Sequence, residues 1–165
     1  MTLPSSPSSM LLVVGSRLSV VALSLFVGGI ITLGANVAPL LFKTLQRGDA
    51  SQVMTLIFRR FDTWMLFGLM AFLLGEGFKL WSLGWPTELL GWLRLGIMAA
   101  FSGLILLSVL LVHPKLEAQQ ALLSAAQSVS PQWPVIASTF HAIHKQAEQL
   151  LRLAWVLALT LLIWR

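Results

Sequence analysis

Residues 18–42 have the sequence LSVVALSLFVGGIITLGANVAPLLF, and no charged residue lies between Arg17 and Lys43. A helix rises about 1.5 Å per residue, so this stretch is long enough to cross a hydrocarbon core of roughly 30 Å. It therefore predicts a membrane-spanning helix. The rest of the chain has to be interpreted with lipid as the surrounding medium.

The composition of the whole chain indicates the same environment. The 165 residues are 57% hydrophobic and only 10% charged, and the mean hydropathy is +0.85. A soluble domain would carry about a quarter charged residues. There are no cysteines, which excludes disulfide frameworks, thiolate metal sites, cysteine nucleophiles and iron–sulfur ligation. The chain is predicted to be an integral membrane protein.

The hydrophobic stretches predict an all-α fold, a four-transmembrane-helix bundle with cytoplasmic helical extensions. Residues 1–10 are rich in Ser and Pro and are expected to form a flexible tail before a first span that is retained rather than cleaved. Residues 11–165 are predicted to form a single membrane domain. The predicted spans cover residues 12–41, 63–83, 89–112 and 136–164.

Prolines and polar connectors define the predicted ends of these spans. Pro39 lacks a backbone N–H and is expected to bend or end the first helix. His113 and Pro114 are expected to end the third span, and residues 115–127 are expected to leave the bilayer while still helix-like in composition. Residues 128–134 (SVSPQWP) predict a turn. Residues 49–61 have one apolar face, which predicts a short helix along the membrane interface before the chain turns inward.

Small residues at regular spacing predict close helix packing. Ser24, Gly28 and Thr32 recur every four residues in span one. Four other glycines repeat a spacing of seven residues, namely Gly68 and Gly75 in span two and Gly96 and Gly103 in span three. The matching spacings predict that spans two and three pack as an antiparallel hairpin.

The distribution of cations predicts the orientation. The connectors after spans one and three share one side of the membrane, and that side carries Lys43, Arg47, Arg59, Arg60, Lys115 and Lys145. The positive-inside rule places this side in the cytoplasm and both termini outside. We expect a bacterial-type inner membrane or another energy-transducing membrane. Three indoles at the opposite side, Trp81, Trp85 and Trp92, are typical of an aromatic belt.

Three polar residues lie within the predicted spans. Asn36 is expected either to hydrogen-bond another helix or to contact a ligand. Glu76 and Lys79 are three residues apart, so they can pair near the interface, or Glu76 can have a role with a proton, metal or substrate. Arg94 is expected to extend back towards the interface. Arg59, Arg60 and Asp62 are expected at headgroup level, where they would contact lipid phosphate and form a local ion pair.

The three histidines, His113, His141 and His144, are the candidate cofactor ligands. Topology brings them near one membrane surface, so a haem or a transition metal between spans three and four is geometrically allowed. No zincin, haem-attachment or di-iron motif is present. Nucleophile-elbow, phosphate-loop and dinucleotide motifs are also absent, and no aromatic-basic platform indicates nucleic acid. The sequence therefore favours a non-enzymatic role.

Several blocks carry a family resemblance: FVGG at 26–29, VAPLLF at 37–42, FRRFD at 58–62, GE at 75–76 and FHAIHKQAE at 140–148. In order and spacing they resemble the bacterial branch of the transmembrane-protein-205-like family, also called domain of unknown function 4149, which looks distantly similar to copper-resistance D-like and haem-associated membrane proteins. The resemblance implies a four-span helical protein. The positions that it marks are Pro39, Phe42, Asp62, Glu76, Pro114, His144 and Glu148.

Two hypotheses for function follow. The first is a small, non-catalytic structural or assembly component of the membrane that packs against itself or against a larger membrane complex. The alternative is a haem- or metal-binding membrane protein, acting in redox chemistry, metal handling or transport, with His144 as the leading ligand and Glu76 as a second polar centre. Lipid and other membrane proteins are the expected partners in both cases.

Overall fold

The computed structural model describes residues 7–125 and 132–164, and these residues form helices and short turns with no strand. The α-helices are α1 (Pro7–Ile31), α2 (Ala38–Thr44), α3 (Arg47–Leu83), α4 (Leu89–Leu107), α5 (His113–Ala125) and α6 (Trp133–Ile163). Two π-helical segments, Thr32–Val37 and Ser108–Val112, join α1 to α2 and α4 to α5. The predicted all-α class is therefore confirmed.

Because the π-helical segments keep the chain helical, the six α-helices make four long helices. These four are long and apolar enough to cross a membrane: Ser8–Thr44, Asp49–Leu83, Leu89–Leu123 and Trp133–Ile163. We call them spans one to four. The protein is thus an integral membrane protein built as a four-helix bundle.

The two π-helical segments end just before prolines. Thr32–Val37 precedes Pro39, and Ser108–Val112 precedes Pro114. A proline lacks the N–H of a helical hydrogen bond, and its ring clashes with the carbonyl four residues earlier. A π-turn shifts the hydrogen-bond partner by one residue, which relieves the clash and lets the helix continue. The chain therefore stays helical past Pro114 through α5, as the composition of residues 115–125 predicts, and α2 continues beyond Pro39 to Thr44.

The helix that contains span two begins well before the hydrophobic residues of that span. α3 is one unbroken helix of 37 residues, so the prediction of a separate interface helix over residues 49–61 is wrong. No proline lies between Pro39 and Pro86, and therefore no residue in this stretch forces the helix to end. The polar first half of α3 and its apolar second half therefore belong to one continuous helix.

The predicted tail and turn fall partly outside the described residues. Helix α1 begins at Pro7, so residues 7–10 are helical, while residues 1–6 of the predicted tail lie outside the described part. Residues 126–131, which contain most of the predicted turn, also lie outside it. Trp133 and Pro134 belong to the first turn of α6, where a proline is tolerated because its N–H would have no partner.

The centre of the bundle is an aromatic cluster contributed by three spans. The ring of Phe101 packs edge-on against Phe26 at 5.2 Å and against Phe72 at 5.6 Å between centroids. All three side chains are buried, and edge-to-face pairs add about 0.5–1.5 kcal/mol each to the burial of the rings. This cluster fixes spans one, two and three around a common core. Large apolar side chains such as Leu25 and Phe67 are exposed on the outside, as lipid requires.

Spans one and two approach most closely at a pair of glycines. A Cβ atom built on Gly75 would lie 2.6 Å from the carbonyl oxygen of Gly15 and 2.6 Å from Oγ of Ser19. Gly15 and Ser19 are four apart, so they form a small-xxx-small pair. The predicted glycine packing of spans two and three is wrong, because a Cβ on Gly68, Gly96 or Gly103 would meet no atom within 4 Å.

Candidate functional site

Polar side chains connect spans two and three at four levels. Residue numbers rise along span two as they fall along span three, which is the register of an antiparallel hairpin. The four pairs are Ser51–Gln120 (2.7 Å), Arg59–Glu117 (2.7 Å), Asp62–His113 (2.7 Å) and Glu76–Arg94 (2.8 Å). Hydrogen bonds and ion pairs therefore join the two spans along the hairpin, in addition to the contact between Phe72 and Phe101.

The pair nearest the turn at 84–88 contains Glu76, whose residue is buried in the bundle. The carboxylate of Glu76 is only 3% exposed, and it accepts two hydrogen bonds from the guanidinium of Arg94, at 2.8 and 2.9 Å. The ammonium of Lys79 contacts the same carboxylate from one turn along α3. This cluster, Glu76, Lys79 and Arg94, we call the charged triad. It holds two cations and one anion.

The contact of Glu76 with Lys79 that their spacing predicts is present. Arg94 forms a bidentate pair with Glu76, a contact that the sequence analysis does not predict. Its expected position near the interface stays a prediction. A bidentate arginine–carboxylate pair is stronger and more directional than an exposed cation in water. Whether Glu76 also acts on a proton, metal or substrate stays a prediction.

The distances of Glu76 and Arg94 from the turn between their helices indicate that the two side chains can pair. Glu76 lies eight residues before Gly84, and Arg94 lies six residues after Glu88. At about 1.5 Å per residue, the two side chains start roughly 12 and 9 Å from the turn, at similar depth on neighbouring helices. The pair is predicted when the distances of Glu76 and Arg94 from the turn are compared, and not from residue spacing along either helix alone.

At the other end of the hairpin, Asp62 and His113 form a half-buried pair. Nδ1 of His113 lies 2.7 Å from both carboxylate oxygens of Asp62, and each side chain is 14% exposed. Arg59 donates two hydrogen bonds to Glu117, although its side chain is 66% exposed. Arg60 is exposed. Arg59 and Asp62 thus each contact span three rather than one another, and contact with lipid phosphate stays a prediction.

The three candidate ligand histidines have different surroundings. His113 is held by Asp62, whereas His144 lies 3.4 Å from Glu148 and stacks on Phe140, with 5.8 Å between ring centroids. His141 packs edge-on against the same ring at 6.0 Å. Within residues 7–125 and 132–164, no three His, Asp or Glu side chains stand close enough to bind a metal ion together. Haem or metal binding by His144 stays a prediction.

Asn36 lies in the first π-helical segment and is exposed on the outside of the bundle. Its side chain forms no hydrogen bond with any part of the chain that the structure describes. Ser24, Gly28 and Thr32 are exposed as well. The small-residue stripe predicted for close packing therefore faces outwards, and the hydrogen bond expected of Asn36 is not made inside the described bundle.

An open cavity of about 390 Å³ lies beside the charged triad, between the end of α3, the turn at 84–88 and the start of α4. A second, small pocket of about 20 Å³ lies deeper, where the triad meets Ser16 and Ser19 of span one. A volume of this size is enough for one water molecule. The triad thus forms the wall between the open cavity and the interior of the bundle.

Comparison with known proteins identifies a family. Its sequence profile, described as a domain of unknown function (DUF4149), matches residues 21–123. The match therefore covers all four polar pairs that join spans two and three, including Asp62–His113 and Glu76–Arg94. No curated protein and no solved structure matches the chain.

Proposed function

The chain belongs to the DUF4149 family, and we propose that it is a non-catalytic structural component of the membrane that associates with a second copy of itself through the outer face of span one. The relations to the transmembrane-protein-205-like and copper-resistance D-like proteins stay predictions, and the proposal does not depend on them. The haem- or metal-binding alternative likewise stays a prediction.

The observation that carries the proposal is the difference between the two faces of span one. The inner face uses Gly15 and Ser19 to approach span two. The outer face presents a second row, Ser24, Gly28, Thr32 and Asn36, with one small or polar residue every four positions, all of them exposed. Rows of this kind allow helix backbones to approach closely in lipid.

Asn36 indicates what covers this outer face. An amide that faces hydrocarbon without a hydrogen bond is unfavourable by several kcal/mol (about 4–8 on alkane scales). An asparagine both donates and accepts, so two copies of Asn36 related by a two-fold axis can satisfy each other. A two-fold interface brings the same patch of both copies together. A second copy of the chain therefore fits the chemistry of this face.

We expect Asn36→Leu to weaken self-association in lipid vesicles about tenfold, because the loss of an interhelical amide bond is worth about 1–2 kcal/mol. Gly28→Ile should weaken it at least as much, since the added side chain keeps the backbones apart. Self-association is measured by energy transfer between labelled copies as the lipid-to-protein ratio is raised.

Gly34→Ile is the matched control, because Gly34 is exposed on another face of the same helix and a Cβ there would meet no atom within 4 Å. It should leave association within about twofold of the unmodified chain. The chain has no cysteine, so Thr32→Cys offers a clean cross-linking check. A chain that is monomeric at all lipid ratios, or equal losses for Gly34→Ile and Gly28→Ile, would contradict the proposal.

We further propose that the connectors after spans one and three face the cytoplasm of a bacterial-type inner membrane or another energy-transducing membrane. This orientation is supported by the cations at that end, Lys43, Arg59, Arg60, Lys115 and Lys145. In intact cells, a membrane-impermeant thiol reagent should label Thr87→Cys in the opposite turn and should reach Gln46→Cys only after the membrane is opened. Labelling of Gln46→Cys alone in intact cells would reverse the orientation.

A further inference from the structure

We propose that the open cavity beside the charged triad binds a phosphate group, as carried by a phospholipid headgroup. The cavity lies outside the self-association face, and the proposal is independent of the proposed function. Its charged lining consists of Glu76, Lys79 and Arg94 on the inner wall and Glu88 at the rim.

The inner wall has a surplus of positive charge. Glu76 neutralises one of the two cations that contact it, so the triad carries a net charge of one positive unit at a depth where an uncompensated charge is costly. Lys79 and Arg94 keep 18% and 24% of their side chains exposed. Part of each cation is therefore accessible from the cavity and can bind an anion.

The donor capacity of the triad exceeds what Glu76 uses. An arginine has five N–H donors and a lysine has three. Arg94 gives two hydrogen bonds to Glu76, and Lys79 contacts one oxygen of the same carboxylate. Within the described residues, neither side chain has another hydrogen-bond acceptor. The remaining donors need an oxygen-rich partner, and water or an oxyanion can supply it.

The position of the cavity favours a headgroup phosphate over other anions. Trp85 and Trp92 stack near its mouth with 6.2 Å between ring centroids, and Trp81 is 85% exposed nearby. Indoles concentrate at the membrane–water interface, where the lipid phosphates lie. A planar guanidinium next to a point-like ammonium is also a combination that suits a phosphate oxyanion. The net positive charge of the triad disfavours the binding of a metal cation there.

Glu88 places a negative charge at the rim of the cavity, apart from the positive charge of the inner wall. It is the N-cap residue of α4 and is exposed, so its charge is screened by water far more than that of the triad. Its carboxylate repels an anion at the rim without contacting the inner wall. Removing it should therefore help an anionic headgroup to bind, which gives the proposal a test with the opposite sign.

The test uses the full chain in a mild detergent and native mass spectrometry with added phosphatidylglycerol. Lys79→Gln removes the surplus charge but keeps the Glu76–Arg94 pair, and we expect it to lower lipid retention about tenfold. Lys115→Gln, an exposed cation at the other end of the bundle, is the matched control and should change retention less than about twofold. Lys79→Arg should restore retention, and Glu88→Gln should raise it.

Parallel titration with inorganic phosphate in lipid-free detergent distinguishes the two sources of the group. Binding that depends on Lys79 supports a phosphate site filled by the free ion, while binding of phosphatidylglycerol alone supports a headgroup site. The proposal is overturned if Lys79→Gln and Lys115→Gln lower retention equally, if Glu88→Gln lowers it as Lys79→Gln does, or if neither ligand binds. Thermal melting of each variant excludes loss of the fold as the cause.

Discussion

Glu76→Gln is expected to lower the free energy of unfolding by about 3–5 kcal/mol, because it removes a buried carboxylate charge that faces two cations. Arg94 and Lys79 would keep their charges without a counterion. The amide oxygen of the glutamine could accept at most one of the two hydrogen bonds that Arg94 now donates, and the amide nitrogen would face the guanidinium as a second donor. The measurement is unfolding of the purified chain in mixed micelles, followed by circular dichroism as the fraction of denaturing detergent rises.

Arg59→Gln provides the comparison for this experiment. It breaks a bidentate ion pair of similar geometry between the same two spans, but the arginine side chain is 66% exposed. Such surface pairs are worth about 0–1 kcal/mol. A triple variant with Leu at 76, 79 and 94 should recover most of the stability lost by Glu76→Gln, because no buried charge then lacks a partner. Equal losses for Glu76→Gln and Arg59→Gln would show that burial of the triad does not determine its energetics.

Gly75→Ala is expected to destabilise the bundle by about 1–3 kcal/mol by forcing spans one and two apart. The added Cβ would lie 2.6 Å from the Gly15 carbonyl oxygen and 2.9 Å from the backbone N of Ser19. Neither backbone atom can move away by changing a rotamer, so the helices themselves must separate. The same micellar unfolding measurement gives the loss of stability.

Gly68→Ala is the matched control, seven residues earlier on the same helix. Its Cβ would meet no atom within 4 Å, and alanine stabilises helices relative to glycine by up to about 1 kcal/mol. We therefore expect a neutral or slightly stabilising effect. If Gly75→Ala were as neutral as Gly68→Ala, the close approach of spans one and two would not be required for the fold.

The number and class of the spans could be predicted from sequence because they depend on local properties. The uncharged stretch before Lys43, the low charge content and the breaks near Gly84 and Pro86 each indicate where helices enter or leave lipid. Helix ends were harder to predict. Pro39 and Pro114 are both helix-breaking signals, yet each is accommodated by a π-turn that the sequence does not specify.

The partners of individual residues could not be predicted for a different reason. Gly68 and Gly75 are the same residue type on the same helix, and only the arrangement of the spans decides which of them meets another backbone. Arg94 was expected near the interface without a named partner, and the hairpin brings its guanidinium to Glu76. Contacts within one helix follow from spacing, but contacts between helices depend on how the bundle is assembled.

The charged triad has a consequence for biosynthesis. Chains emerge from the ribosome N-terminus first, so Glu76 and Lys79 are made before Arg94 and can neutralise each other on their own helix. The second hydrophobic segment can then leave the insertion machinery without a net charge. Span three then brings the guanidinium of Arg94 to the carboxylate of Glu76, which is already in the membrane. In this order of synthesis, each charged side chain has a partner of opposite charge when it enters the hydrocarbon.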